Sequence, residues 1–281
     1  MLFLIMYPWK EIIIIVIIIY IFYKIYQPFK NFYFEYSKKN TIEKFKNICD
    51  IVELNMMVED SMKVYQNKIE HRYTVELHRR IPGTKQMDPI PIEKTVDEVN
   101  NKFKVDKHLC DEIIKISQQG LVEEFFYGKH PFLPVEKMYV GFSSRQNLGY
   151  IVEKNKNIYK KKLYVNTVDF NLRTIFPIDI AERLHGNIPF QILQPKHIYK
   201  YEEGKDKPMS CYIGIKSIYN LGNIMEVFVN ILKVFQTKEK IIDEANEYMV
   251  PYKNSECYWI CLTNDYGKYS ATIYYSKDLE N

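Results

Sequence analysis

The 281-residue chain carries 39 basic and 35 acidic side chains, a net charge of +4. That balance excludes a general nucleic-acid binder, which needs clustered lysine and arginine. The 47% hydrophobic and 15% aromatic content excludes a disordered chain and predicts a large core. Alanine occurs only at positions 181, 245 and 271, whereas Ile, Lys, Asn and Tyr dominate, a usage that suggests an AT-rich genome such as that of a large DNA virus. Cys49, Cys110, Cys211, Cys257 and Cys261 are odd in number and scattered, unlike the even frameworks of small secreted scaffolds, so they read as free thiols.

Between Pro8 and Pro28 lie 19 residues, WKEIIIIVIIIYIFYKIYQ. A helix of that length spans roughly 28 Å, close to the ~30 Å of a bilayer core. Trp9, Ile12, Ile19, Tyr20, Tyr23 and Tyr26 are the expected anchor residues, with the aromatic rings at headgroup depth. Lys10, Glu11 and Lys24 sit near the ends, where long side chains can snorkel. Against this stands the length of the uninterrupted apolar run, Ile12 to Tyr23, which also suits a buried core helix. Six lysines, Lys24, Lys30, Lys38, Lys39, Lys44 and Lys46, follow on the C-terminal side, so the positive-inside rule predicts a cytosolic or virion-interior domain.

Apolar residues recur every three or four positions over Thr41 to Arg80, as in Ile42, Phe45, Cys49, Val52 and Met56, then Met62, Tyr65, Ile69, Tyr73 and Leu77. This predicts one long amphipathic helix, a surface for a protein partner or for self-association. The segment IPGTKQMDPIP, residues 81–91, reads as a loop. Thr95 with Glu98 has capping-box spacing, Asp106 can cap a second short helix and Gly120 can end it. Strands are expected at 138–142, 149–152, 158–168, 211–219, 257–263 and 268–275, the last two joined as a hairpin through Asn264-Asp265-Tyr266-Gly267. A helix over Asn223–Met249, closed by Pro251, interrupts them.

The fold class expected is therefore α+β: a single transmembrane helix at the N-terminus, a helical segment, and an antiparallel sheet packed with helices. The expected domains are an anchor at 1–36, the helix and Pro-rich loop at 37–92, and a soluble α+β domain at 93–281.

No Gly-rich phosphate loop, HExxH, GxSxG or CxxC occurs, and no motif carries a resemblance to a known family. Cys257 and Cys261 would share one strand face, roughly 13 Å apart, as core thiols. His108, Asp111 and Glu112 have helical spacing for a metal but lack a further ligand. Asp169, Asp179 and His185, with Glu182 and Arg183 between them, form the one cluster suited to acid-base work, since a carboxylate can tune an imidazole toward neutrality. Lys160, Lys161 and Lys162, with Tyr159 and Tyr164, make the densest basic and aromatic patch and could contact phosphate or lipid.

The function expected from this reading is a single-pass membrane-tethered binding, scaffold or assembly protein, without cofactor, metal or small-molecule ligand and more readily non-enzymatic. Its alternative is a membrane-anchored enzyme working through the Asp169 to His185 region. The sequence names the observation that separates the two: a deep cleft with converging ionisable groups favours an enzyme, and a filled core favours binding.

Overall fold

The computed structural model describes residues 9–80, 87–129, 135–142, 148–168 and 170–276. The chain divides into two compact units, one ending at Glu43 and one beginning at Lys44. One helix, α1 (Trp9–Val52), supplies the first unit and enters the second. The second continues with β1 (Asn55–Tyr65), β2 (Ile69–Arg80), a two-residue β3 (Met87–Asp88), α2 (Ile92–Phe103), α3 (Lys107–Ser117), β4 (Val122–Lys129), β5 (Val135–Phe142), β6 (Leu148–Asn155) and β7 (Ile158–Thr167). Then come α4 (Ile178–Asn187), β8 (Leu193–Glu202), β9 (Ser210–Ile215), α5 (Leu221–Val234), α6 (Glu239–Met249), β10 (Cys257–Asp265) and β11 (Lys268–Tyr275).

All strand pairings are antiparallel, in the order β1-β11-β10-β9-β8-β7-β6-β5-β4-β2. The β1–β2 pairing, from Asn55↔His78 to Val64↔Ile69, joins the two ends of that series. Ten strands thus close into a barrel built of five hairpins. One mouth carries the hairpin turns and the other the longer connections. Each strand sends one parity outward: Val58, Met62 and Val64 on β1, Tyr73, Val75 and Leu77 on β2, and Ile260 and Leu262 on β10 are all buried against the outer layer. That layer includes Ile224, Phe228 and Ile231 of α5 and Ile180 and Leu184 of α4. On another arc the rings of Phe45, Phe103 and Tyr127 pack at tilted angles with centroids 4.9 to 6.0 Å apart.

Three expectations are corrected. The α+β sheet covered by helices is a closed barrel, because the first and last strands pair with each other. The long helix over 41–80 ends at Val52 and gives way to the β1–β2 hairpin; its apolar positions from Ile69 onward also alternate strictly, Ile69, His71, Tyr73, Val75 and Leu77 against Glu70, Arg72, Thr74, Glu76 and His78. With one face to the helices and one to the barrel interior, period two governs. The membrane anchor is also overturned: among the described residues no helix is long and apolar enough to cross a membrane. Pro28 does not end an anchor but lies inside the 44-residue α1, and the apolar run preceding it falls short of the ~18–20 residues a crossing needs. Tyr20 and Tyr26 are exposed on this helix, while the side chains of Trp9, Ile12, Ile19 and Tyr23 lie outside the described residues. The single-pass localisation expected from the lysine flank is withdrawn with the anchor.

Smaller differences have local causes. The helix expected over 223–249 is two, α5 and α6, separated at Gln236, whose φ is 56°. Its N-terminal box is formed by Asn220 and Asn223, each side chain accepting the other's backbone N–H at 3.0 Å. A bulge between Cys257 and Trp259 breaks their common face, so Cys257 joins the outer core and Cys261 faces inward. All five cysteines are unbridged.

Asp106 caps α3 by accepting the Leu109 N–H, and it also accepts from Lys154 Nζ at 2.6 Å and Tyr159 Oη at 2.9 Å. The Lys154 hydrogen bond first, then Tyr159, holds its carboxyl below the ordinary range. Asp106→Ala is expected to lower unfolding free energy by about 1–2 kcal/mol in denaturant titrations. The wild-type advantage should be full above the ordinary carboxylate pKa near 3.8 and fade as pH falls below it.

Candidate functional site in the barrel lumen

The inward parity of the strands is polar. Two cavities of about 290 and 470 Å³ occupy the lumen and share Gly128, Lys137, Ile151, Tyr164, Tyr212 and Tyr274 in their walls. Both fall near the size range of small-molecule sites.

The larger cavity lies toward the hairpin mouth and is cationic. Lys63 of β1, Arg72 of β2, Lys137 of β5, Lys162 of β7 and Lys200 of β8 line it, facing Glu70 and Glu153. Arg72 and Lys68 hold Glu70, the latter at 2.5 Å, and Lys162 holds Glu153 at 2.8 Å. Lys63, Lys137 and Lys200 have no ion pair among the described residues. With Lys129, Lys160 and Lys268, and with Glu202 and Asp265, the whole lining carries eight basic side chains against four acidic ones. Burial, then repulsion from Arg72 and Lys200, pushes the Lys63 ammonium down to about 7. Burial and the Arg72 charge bring Lys137 to about 8, and burial also lowers Lys200. Burial alone would raise Glu70, yet hydrogen bonds from Lys68 and Arg72 outweigh it and hold the carboxyl at about 2. Crowded, desolvated ammonium groups are stabilised by an arriving anion.

Between the cavities runs an arc of rings. Phe126 meets Tyr139 at 4.9 Å, Tyr139 meets Tyr164 at 5.3 Å, Tyr164 meets Tyr212 at 5.6 Å and Tyr212 meets Tyr274 at 5.8 Å. The four tyrosines come from β5, β7, β9 and β11, every second strand, and each points inward. Burial raises all four phenols, keeping them neutral. Glycine makes the room: a Cβ on Gly149 would collide with the Tyr139 ring, and one on Gly128 would lie 3.0 Å from Lys137 Cε.

The smaller cavity, toward the other mouth, is acidic and aromatic. Glu59, Glu76, Glu123 and Glu124 line it with Phe126, Tyr258 and Trp259, against Lys137 and Lys196. Burial, reinforced by Asp60 and Glu124 and opposed by Lys137, pushes Glu59 up to about 8. Burial, with Glu123 adding and Lys196 opposing, raises Glu124.

The fold is shared with a solved prenyltransferase. The structure of NotF prenyltransferase superposes with a TM-score of 0.52 at 12% identity, covering 78% of this chain and 80% of that one. NotF in complex with brevianamide F and DMSPP gives 0.52 at 13% identity, covering 78% and 79%. AnaPT from Neosartorya fischeri gives 0.48 at 11% identity, covering 78% and 77%. No family model matches the chain, and no curated protein matches it. At these identities the likeness to the NotF structures shows a common fold and nothing finer.

That finding corrects the expectation of a membrane-tethered scaffold that is more readily non-enzymatic: the interior is a chamber lined by ionisable groups rather than a filled core, and the structures sharing it are of an enzyme. It also relocates the candidate residues. Strand parity splits the basic patch, sending Lys160, Lys162 and Tyr164 into the lumen. Tyr159 and Lys161 point outward to α3, where Tyr159 packs on His108 at 4.4 Å and Lys161 pairs with Glu112. The spacing of His108 and Glu112 therefore serves docking of α3 on the barrel wall. Asp179 is exposed on α4, and His185 packs edge-on against Phe170 at 5.3 Å, outside the wall. Asp169 lies outside the described residues, while Arg173 pairs with Glu182 at 3.0 Å on the surface. The residues that sequence reasoning passed over, Glu59, Lys63, Arg72, Glu124, Lys137 and Lys200, are charges alternating with apolar residues on strands.

Between pH 7 and the ordinary lysine value of 10.5, the unfolded chain holds a proton at Lys63 that the folded barrel has released. Stability therefore gains from that residue as pH rises through the window. Lys63→Met is expected to flatten the rise in denaturant midpoint between about pH 8 and 10, read in parallel titrations of the two proteins.

Proposed function

We propose that the barrel transfers a prenyl group from an allylic diphosphate to an aromatic acceptor, with the two substrates meeting at the tyrosine arc. The observation that carries the reading is the division of one lumen into a cationic half and an acidic, aromatic half by a layer of neutral tyrosines. Lys63, Arg72, Lys137, Lys162 and Lys200 hold the diphosphate, whose negative charge offsets their surplus. As the C1–O bond of the donor breaks, the departing diphosphate keeps the electron pair and its growing charge is stabilised where the cations already stand. The allylic carbon becomes cationic beside Tyr139, Tyr164, Tyr212 and Tyr274, whose ring faces stabilise it by cation–π attraction while excluding water. The ring carbon of the acceptor forms the new C–C bond, and the carboxylate of Glu124 takes the proton that the ring then loses. The likeness of fold to NotF bound to DMSPP supports this reading without assigning a substrate.

Inorganic pyrophosphate is expected to bind the protein at low ionic strength, with Lys200→Met and Arg72→Met each weakening it by ~10-fold or more in calorimetry. Incubation with dimethylallyl diphosphate and a panel of aromatic acceptors should yield a product heavier by one prenyl group, by mass spectrometry. Glu124→Gln should slow that transfer by ~100-fold. A wild-type protein that ignores pyrophosphate at low salt would sink the transferase reading.

A further inference from the structure

The acidic half of the lumen has its own charge imbalance, opposite in sign to the donor half. Glu59, Glu76, Glu123 and Glu124 stand against Lys196 and against Lys137, which the two halves share, so carboxyl groups outnumber ammonium groups by two. Glu76 has His78 Nδ1 at 3.7 Å, whereas Glu59 and Glu124 have no ion pair or hydrogen bond among the described residues. Both project into a cavity of about 290 Å³ whose remaining wall includes Phe126, Tyr258 and Trp259. Gly141 makes this possible: a Cβ there would lie 2.7 Å from Glu124 Oε2, so the glycine keeps the space that the carboxylate occupies.

From this geometry we propose that the acceptor is a cationic aromatic, an aryl-alkylammonium whose ring lies among Phe126, Tyr258 and Trp259 and whose ammonium sits between Glu59 and Glu124. This rests on the transferase reading only for the word acceptor; the recognition chemistry stands on the cavity. A neutral ring would leave Glu59 and Glu124 desolvated with only the more distant charges of Lys137 and Lys196 to oppose theirs, which is costly. An ammonium offsets the repulsion between them and supplies donors to both, while the aromatic walls hold its ring and its charge. Burial, which pushes Glu59 up to about 8, favours its protonated form near pH 7, so binding of an ammonium beside it releases that proton.

Tyramine and tyrosol have nearly the same shape and differ in an ammonium against a hydroxyl, and 3-(4-hydroxyphenyl)propionate carries the opposite charge. Binding of each to the full-length wild-type protein is measured by calorimetry near pH 7 in two buffers of different ionisation enthalpy, without any donor present. Tyramine is expected to bind at least ~10-fold more tightly than tyrosol, with the propionate weakest and with proton release on tyramine binding alone. Glu59→Gln should shrink the tyramine advantage while leaving tyrosol affinity within about twofold, a split that general unfolding cannot produce. Equal affinities for tyramine and tyrosol, or no tyramine binding at millimolar concentration, overturn the proposal. Because pyrophosphate binding and prenyl transfer are read separately, a protein that prefers tyramine yet ignores pyrophosphate retains the cation site and loses the transferase reading.

Discussion

The pairing of β1 with β2 on one side and β11 on the other is the constraint from which the rest of the structure follows. Without the six register partners from Asp60↔Tyr275 to Tyr65↔Ser270, the sheet would have two open edges, and its inner face would be only a concave surface. With them, each of the ten barrel strands has a neighbour on both sides, and a sheet with period-two side chains acquires an inside and an outside.

Closure allows the two faces to be used differently. The outer parity is buried beneath α4 and α5 over one arc and beneath α2 and α3 over another, and it carries the apolar burial that stabilises the fold. The inner parity is then free to hold groups that oppose folding. Three lysines without ion pairs among the described residues and two buried carboxyl groups oppose folding, and burial shifts each of them toward its neutral form. Such groups persist where the surrounding structure over-determines their positions, and a closed antiparallel ladder does so.

The chamber is also polarised along its axis, because each strand crosses from one mouth to the other. On β1, Glu59 lies in the acidic half and Lys63 in the cationic half, four residues and one lumen away. On β2, Glu76 and Arg72 repeat the pattern. Lys137, Tyr164, Tyr212 and Tyr274 belong to both chambers, so they stand where an anion on one side and a ring on the other would meet. A neutral phenol layer suits that boundary: it offers π density to developing positive charge and no anion to combine with it.

Several elements were legible in the residues themselves. The hairpin of β10 and β11 follows from Asn264-Asp265-Tyr266-Gly267 between two β-rich runs, and Asp106 caps α3 because a short carboxylate side chain at that position reaches the Leu109 N–H. The β1–β2 hairpin was equally written, in the alternation from Ile69 to His78, but a stripe of period three to four overlay it, and local pattern cannot choose between two periods that share residues. Which parity of β7 faces inward, and hence that Lys162 joins the cation cluster while Lys161 pairs with Glu112, depends on closure and on α3 lying outside the wall. Glu59, Lys63, Arg72, Glu124, Lys137 and Lys200 come from five strands spread over 142 residue positions, so no spacing between them encodes their convergence. The sequence determined the composition, the turns, the caps and the charges carried on alternating residues. Only the tertiary structure decided that those charges face one another, because convergence is a property of strand register around a closed barrel.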